Sequence, residues 1–303
     1  MAEKGPIVSF AQNREDVLLA RVFSEVDQGF YVDVGANDPT VSSVTRHFYD
    51  LGWRGINLEP GRIFAKLVQE RPRDINLNVA ASDQKGELPF YEFEGENEHA
   101  LSSLVDHIPT PRPDLAFKRI RRVVPVRTLA DIFDEFHPPC IDFMSVDVEM
   151  YERPVLLGNN WTKYRPRVVL VESTLPMTPT QNHVEWEDVL LQADYHFVYF
   201  DGLNRYYLRQ EDLHLAERFE LPPNVFDNYI VSDVLDLRGK LGNLHQHINA
   251  QEVKYQALEK AYQHLDATYQ HLIHGTGPRS RSYGLWIARQ ISRLAQVLRK
   301  RSA

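Results

Sequence analysis

One cysteine, Cys140, stands in a chain of 303 residues. An internal disulfide and a thiolate-held metal cluster are therefore excluded, which suits a reducing compartment. Set between Pro139 and an apolar run, the thiol reads as packing. No stretch approaches the ~20 apolar residues needed to cross a bilayer, and the opening MAEKGPIVSF lacks the apolar segment of a secretory signal. A cytoplasmic protein is expected. Positive charge is short as well: the net charge of −8 argues against a nucleic-acid binder, whose phosphate contacts need an excess of Lys and Arg. A P-loop, a GxSxG elbow and any Cys/His cluster are also missing, so NTPase, serine-hydrolase and zinc-hydrolase chemistry lack support.

What is present is a foldable α/β pattern. The apolar fraction of 43% is enough for a packed core. Short Val- and Ile-rich runs at 30–34, 55–58, 75–79, 141–146 and 168–171 read as buried strands. Helical patterns at 42–51, 63–71, 128–136, 153–157 and 183–193 fall between them. This alternation predicts a doubly wound, mostly parallel sheet covered on both faces. Residues 195–200 and 205–208 flank Asp201-Gly202-Leu203-Asn204, a turn signal that predicts an antiparallel hairpin closing the sheet. Residues 86–126 interrupt the alternation as a polar insert bearing Pro109, Pro111 and Pro113, a candidate lid.

After Asp233 the pattern becomes a heptad repeat. Val234, Leu241, Ile248, Tyr255, Tyr262 and Tyr269 occupy a, and Leu237, Leu244, Gln251, Leu258, Leu265 and Leu272 occupy d. This predicts a coiled coil over 233–274 and self-association through it, beyond a domain spanning 1–232. A long helix folded back on that domain is the alternative. Gly275-Thr276-Gly277-Pro278 stops the helix. In 279–303, Ile287, Ile291, Leu294 and Leu298 share one helical face, with Arg289, Arg293, Arg299 and Lys300 opposite. Such a basic amphipathic helix suits either peripheral contact with an anionic membrane surface or packing within an oligomer.

The chemistry gathers at strand ends. The stretch 30–38 is a hydrophobic strand running into Asp33, Gly35 and Asn37. Gly35 permits close backbone approach to a ligand at the crevice where such sheets bind. The Asp33 carboxylate repels pyrophosphate and suits a cationic ligand. The next strand ends at Glu59, placed to accept ribose hydroxyls. The third leads to Ser82 and Asp83, where an adenine amino group would find an acceptor. The fourth ends at Asp147, followed by Glu149, and the fifth at Glu172.

The ordered set of segments resembles the FkbM methyltransferase family from about Ser9 to Leu208. The matching pieces are Gln12-Asn13-Arg14-Glu15-Asp16, Tyr31-Val32-Asp33-Val34-Gly35-Ala36-Asn37, Asn57-Leu58-Glu59-Pro60, the run 79–86, Asp147-Val148-Glu149-Met150-Tyr151-Glu152 and the run 165–172. The resemblance implies a Rossmann-like sheet and transfer of a methyl group from S-adenosylmethionine to oxygen, commonly on a sugar or polyketide. It puts Asp33, Gly35 and Asn37 beside the methionine moiety, Glu59 at the ribose, and Ser82 and Asp83 at the adenine. Two departures stand out. Asp38-Pro39-Thr40 replaces a further Gly, so the first helix begins differently. Met150 stands where Gly is usual, which leaves the local turn and the roles of Glu149 and Glu152 open.

A hydroxyl acceptor needs a base or a metal to manage its proton. Asp147 is the first candidate, either as base or, with Glu172, as ligand for a hard cation such as Mg²⁺. Pure cofactor contact is its other reading. His183 is a second candidate base. Trp53, Trp161 and Trp186 read as core rather than as sugar-stacking platforms. The segment Trp186 to Tyr207 also resembles a subgroup found with bacterial surface-polysaccharide enzymes, and the resemblance implies O-methylation of a sugar in a bacterial surface polysaccharide or glycolipid. Two rivals stay open. One is an NAD-dependent oxidoreductase, disfavoured because 33–38 gives no GxGxxG; the other is a degenerate methyltransferase domain serving as a scaffold for the coiled coil.

Overall fold

Runs of β-branched and aromatic residues buried on both sides build the sheet. The computed structural model describes residues 5–94, 102–106, 118–274, 284 and 286–293, and the chain divides into two units, Met1–Ser232 and Asp233–Ala303. The first unit opens with β1 (Ile7–Ser9), α1 (Glu15–Val22), β2 (Phe30–Val34), α2 (Arg46–Asp50), β3 (Arg54–Leu58), α3 (Phe64–Glu70), β4 (Ile75–Leu77) and β5 (Ala80–Ala81). Next come β6 (Gly86–Glu94), β7 (Lys118–Arg127), α4 (Leu129–Phe136), β8 (Phe143–Val146), α5 (Glu152–Leu157) and β9 (Val168–Glu172). The unit ends with α6 (Glu187–Gln192), β10 (Tyr195–Phe200), β11 (Asn204–Arg209) and β12 (Tyr229–Val231).

Seven strands form the main sheet in the order β10-β11-β9-β8-β2-β3-β4. Strands β4, β3, β2, β8 and β9 are parallel; β11 and β10 are antiparallel, forming the expected hairpin. Alternate residues feed two apolar cores. Val32, Val34, Met144, Val146, Val169 and Val171 point to one face, against Ile132 and Phe133 of α4, Leu156 of α5 and Leu190 of α6. Tyr31, Phe143, Val168 and Leu170 point to the other, against Leu18 and Leu19 of α1, Phe48 of α2 and Phe219. Burying both faces is what makes these strands near-continuous apolar runs. Because the five central strands are parallel, their carboxyl ends lie along one edge.

The structure corrects several expectations. Where it is described, the insert at 86–126 is mostly a β-ribbon: β6 pairs antiparallel with β7 from Gly86↔Val126 to Glu94↔Lys118, and β5 joins it as a third strand. Residues 95–101 and 107–117, with Pro109, Pro111 and Pro113, lie outside the described residues. The helix expected over 42–51 starts only at Arg46, because Ser42 is left-handed (φ 57°). The one expected over 183–193 breaks at Trp186, whose ring is buried, into a single 3₁₀ turn and α6. Cys140 is exposed, because β8 begins only at Phe143 and the preceding Pro138-Pro139 segment is irregular. Trp53 and Trp186 are core residues as expected, and the Trp161 indole donates to the Leu156 carbonyl.

The second unit is dominated by α7 (Ser232–Ile273), 42 residues long, or about 63 Å at the α-helical rise. It runs through Gly239 and Gly242 without a break. Leu237, Leu241, Leu244 and Ile248 are half or more exposed along it. Residues 286–293 are helical, with Ile287 buried and Trp286 exposed. Leu294, Leu298 and the remaining basic residues of the expected terminal helix lie outside the described residues. Among the described residues, no helix is long and apolar enough to cross a membrane.

Candidate functional site

Four of the five parallel strands carry an acidic residue at or beside the carboxyl end, where the apolar run stops. Asp33 is the penultimate residue of β2, Glu59 follows β3, Asp147 follows β8 and Glu172 ends β9. They converge on one cavity of about 800 Å³. Antiparallel pairing sets Asn204 opposite Glu172 and so brings the hairpin turn to the same wall. Gln12 and Glu15 line it from the N-terminal segment, Phe90 from the ribbon, and Ser103 and Leu104 from the segment between its two strands.

The floor is tightly knit. The Gly35 and Ala36 amides both donate to the Leu58 carbonyl, and the Asp147 amide donates to the Val34 carbonyl, all at 3.0 Å. Gly35 adopts φ +85°, and a Cβ there would lie 1.8 Å from the Asp147 carbonyl oxygen. Glu59 accepts from the Asn37 amide (2.8 Å) and the Gly61 amide (2.6 Å), fixing the two loops against each other. Asp33 accepts from the Thr45 hydroxyl at 2.7 Å, so that hydroxyl holds the site rather than capping α2.

Burial dominates the electrostatics. It pushes Asp33 up to about 6, against the Thr45 hydrogen bond. Glu59 rises to about 7, against its two amide donors. Glu15, buried and facing Asp201, rises to about 8. Asp147 is exposed to the cavity, yet protein surrounds it closely enough to desolvate its carboxyl, which is raised. Burial also raises Glu172 and Glu149 well above the ordinary range, and repulsion from Asp147 and Glu152 adds to it in both. Among the described residues, Asp33, Glu59, Asp147, Glu149 and Glu172 form no ion pair with a basic residue.

These shifts carry a pH signature. A carboxyl whose folded pKa is raised binds its proton more tightly in the folded state, so its contribution holds below the unfolded value and is lost as pH rises through the folded one. With Asp33 at about 6, Glu59 at about 7 and Glu15 at about 8, the ligand-free protein is expected to melt several degrees lower at pH 8 than at pH 5.5. Scanning calorimetry across that range checks this; a melting temperature that rises with pH would contradict it.

The turn after β8 answers the question left by Met150. Glu149 and Met150 both have positive φ, 53° and 73°, the conformation a glycine adopts without cost; such positions cost of order 1–3 kcal/mol in other residues. Surrounding contacts enforce it. The Ser103 hydroxyl donates to the Glu149 carbonyl at 2.6 Å, and the Met150 amide donates to the Glu152 carboxylate at 3.0 Å. The result turns Glu149 into the cavity beside Asp147 and Glu172.

Not every expected site residue arrives there. Ser82 is fully buried, its hydroxyl bonded to Asp83 (3.1 Å) and to the Tyr151 hydroxyl (3.2 Å); Asp83 is exposed. The wall at this point is Val79, Ala80 and Ala81, with neither Ser82 nor Asp83 among the lining residues, because the chain has left the main sheet to pair with β7. His183 also stays off the wall: it starts the turn before α6, and its Nε2 lies 3.9 Å from Glu187. Partial burial lowers its pKa. Conversely, Glu15 and Glu149 line the cavity without having been assigned a role. The signal for Glu15 was its place in the 12–16 segment; for Glu149 it was an acid two residues beyond Asp147.

Residues 33–197 match the family model of the methyltransferase FkbM domain. That span holds Asp33, Glu59, Asp147, Glu149 and Glu172, whereas Glu15 and Asn204 lie outside it. No curated protein matches the chain.

Proposed function

The chain belongs to the FkbM methyltransferase family, and from that premise we propose that it transfers a methyl group from S-adenosylmethionine to a hydroxyl of a sugar, in a bacterial surface polysaccharide or glycolipid. The observation that carries the reading is the set of strand-end carboxylates around one cavity with no basic partner among the described residues. S-adenosylmethionine bears positive charge at its sulfur and its amino group, and this donor set suits a cation. A cavity of about 800 Å³ lies toward the upper end of small-molecule sites, about 300–1,000 Å³.

When bound, S-adenosylmethionine supplies an electrophilic methyl group on a positively charged sulfur. Asp33 and Asn37 hold the methionine side, with Gly35 keeping the floor free of side chain. Glu59, already oriented by two amides, accepts the ribose hydroxyls. Val79, Ala80 and Ala81 give the adenine an apolar wall, with Ser82 and Asp83 just beyond it. Gln12, Thr174, Thr178 and Asn204 offer uncharged donors and acceptors to a polyhydroxylated acceptor. Asp147 takes the proton that the acceptor hydroxyl loses as its oxygen is methylated, and passes it to water. Its raised pKa brings it nearer the working pH, where a general base is most effective.

Calorimetric titration with S-adenosylhomocysteine tests the cofactor assignment, with NAD as control. Wild type is expected to bind, and Asp33→Asn and Glu59→Gln each to weaken binding about 10- to 100-fold, the worth of a charge-assisted hydrogen bond. Folded protein that binds neither ligand would sink the reading and favour a scaffold; binding of NAD instead would favour an oxidoreductase.

A further inference from the structure

Three carboxyl groups meet at the back of the cavity. Oxygen atoms of Asp147, Glu149 and Glu172, one from each, lie within 4.8 Å of one another. Glu149 is the informative member. The residue is 8% exposed, its Oε2 is buried without a hydrogen-bond partner, and it faces the cavity. An unpartnered carboxylate oxygen buried this deeply costs several kcal/mol unless something satisfies it. Among the described residues, no Lys, Arg or His pairs with any of the three. The backbone is held in a left-handed turn at both Glu149 and Met150, and that turn is what aims Glu149 inward.

We propose that Asp147, Glu149 and Glu172 form a binding site for one hard divalent cation of the Mg²⁺ or Mn²⁺ type. The donors are all oxygen, with no thiolate or imidazole, the set preferred by such ions over zinc or copper. Two ligands come from the turn after β8 and one from the end of β9, neighbouring parallel strands, so the sheet preorganises them. The site exists independently of the methyl-transfer reading; its use in catalysis rests on that reading. There the cation draws in the acceptor hydroxyl and makes it more acidic.

Mn²⁺ alone, titrated into the full chain and followed by electron paramagnetic resonance of the free ion, is the direct test. Wild type is expected to bind one Mn²⁺ per chain, competed by Mg²⁺, and Glu149→Gln and Glu172→Gln to weaken it about tenfold or more. Both substitutions are isosteric and remove charge from a crowded cluster, so both are expected to fold. Should either fail, Tb³⁺ luminescence sensitised in wild type by Tyr151 of the same cavity, and quenched by Mg²⁺, replaces it. No Mn²⁺ binding, no sensitised Tb³⁺ emission, or binding that Glu149→Gln leaves unchanged overturns the site. Retained S-adenosylhomocysteine binding in those cases leaves methyl transfer standing. Mn²⁺ binding without S-adenosylhomocysteine binding does the reverse.

Discussion

Replacing Asp147 by asparagine is expected to lower methyl transfer about 10³-fold while leaving S-adenosylhomocysteine affinity within a few-fold of wild type. The expected size is that of a general base, worth roughly 10²–10⁴ in rate. Asparagine preserves the side-chain shape and cannot accept the proton. The Asp147 amide is fixed on the Val34 carbonyl at 3.0 Å, so the main chain should not move, and removing a charge beside Glu149 and Glu172 should not unfold the protein. Single-turnover rates with calorimetry of cofactor binding separate the possibilities. A variant with an unchanged rate constant would remove Asp147 from the chemistry. A variant whose whole loss lies in cofactor affinity would make it a binding residue instead.

Gly35→Ala is expected to be the most damaging single methyl group that the site can receive. Two costs coincide there. An L-residue at φ +85° is strained, and the new Cβ would sit 1.8 Å from a backbone oxygen, that of Asp147. A flexible side chain could swing aside; a carbonyl at the end of a central strand cannot. Strain of about 1–3 kcal/mol and overpacking of about 1–3 kcal/mol together approach a large share of the roughly 5–15 kcal/mol that holds a domain. Urea unfolding should show a loss of several kcal/mol, with cofactor binding lost in whatever remains folded. A loss below about 1 kcal/mol would mean that β2 and β8 separate more readily than their pairing implies.

Much of this could be read from the chain, for physical reasons that also explain what could not. Strands β2, β3, β8 and β9 announced themselves because both faces are buried, so Val and Ile run without interruption. The Asp201–Asn204 turn announced its hairpin through local turn chemistry. The ribbon of β6 and β7 did not, because half of each strand faces solvent and carries Arg119, Arg121 and Glu87, residues that read as loop. In the site, Asp33, Glu59, Asp147 and Glu172 were legible as acids that end apolar strands. Glu149 was not, since its direction depends on a left-handed turn that its own residue type disfavours and that Ser103, far away in sequence, helps to hold. Ser82 and Asp83 were placed by extending the third strand; the chain instead leaves the sheet at Leu77. His183 was proposed on residue type alone, without any geometric signal for where its ring would lie.

The pairing of β1 with β12, from Ile7↔Tyr229 to Ser9↔Val231, joins the two ends of the first unit and so sets a condition on biosynthesis. On the ribosome, the opening strand has no partner until nearly the whole unit has emerged, and β2, paired with β3 on one edge, waits for β8 on the other. Until then the nascent chain exposes strand edges of the kind that recruit chaperones or aggregate. The stretch 233–303 then takes roughly 4–14 s to make at about 5–20 residues per second. During that interval the first unit can close while it is still tethered to the ribosome.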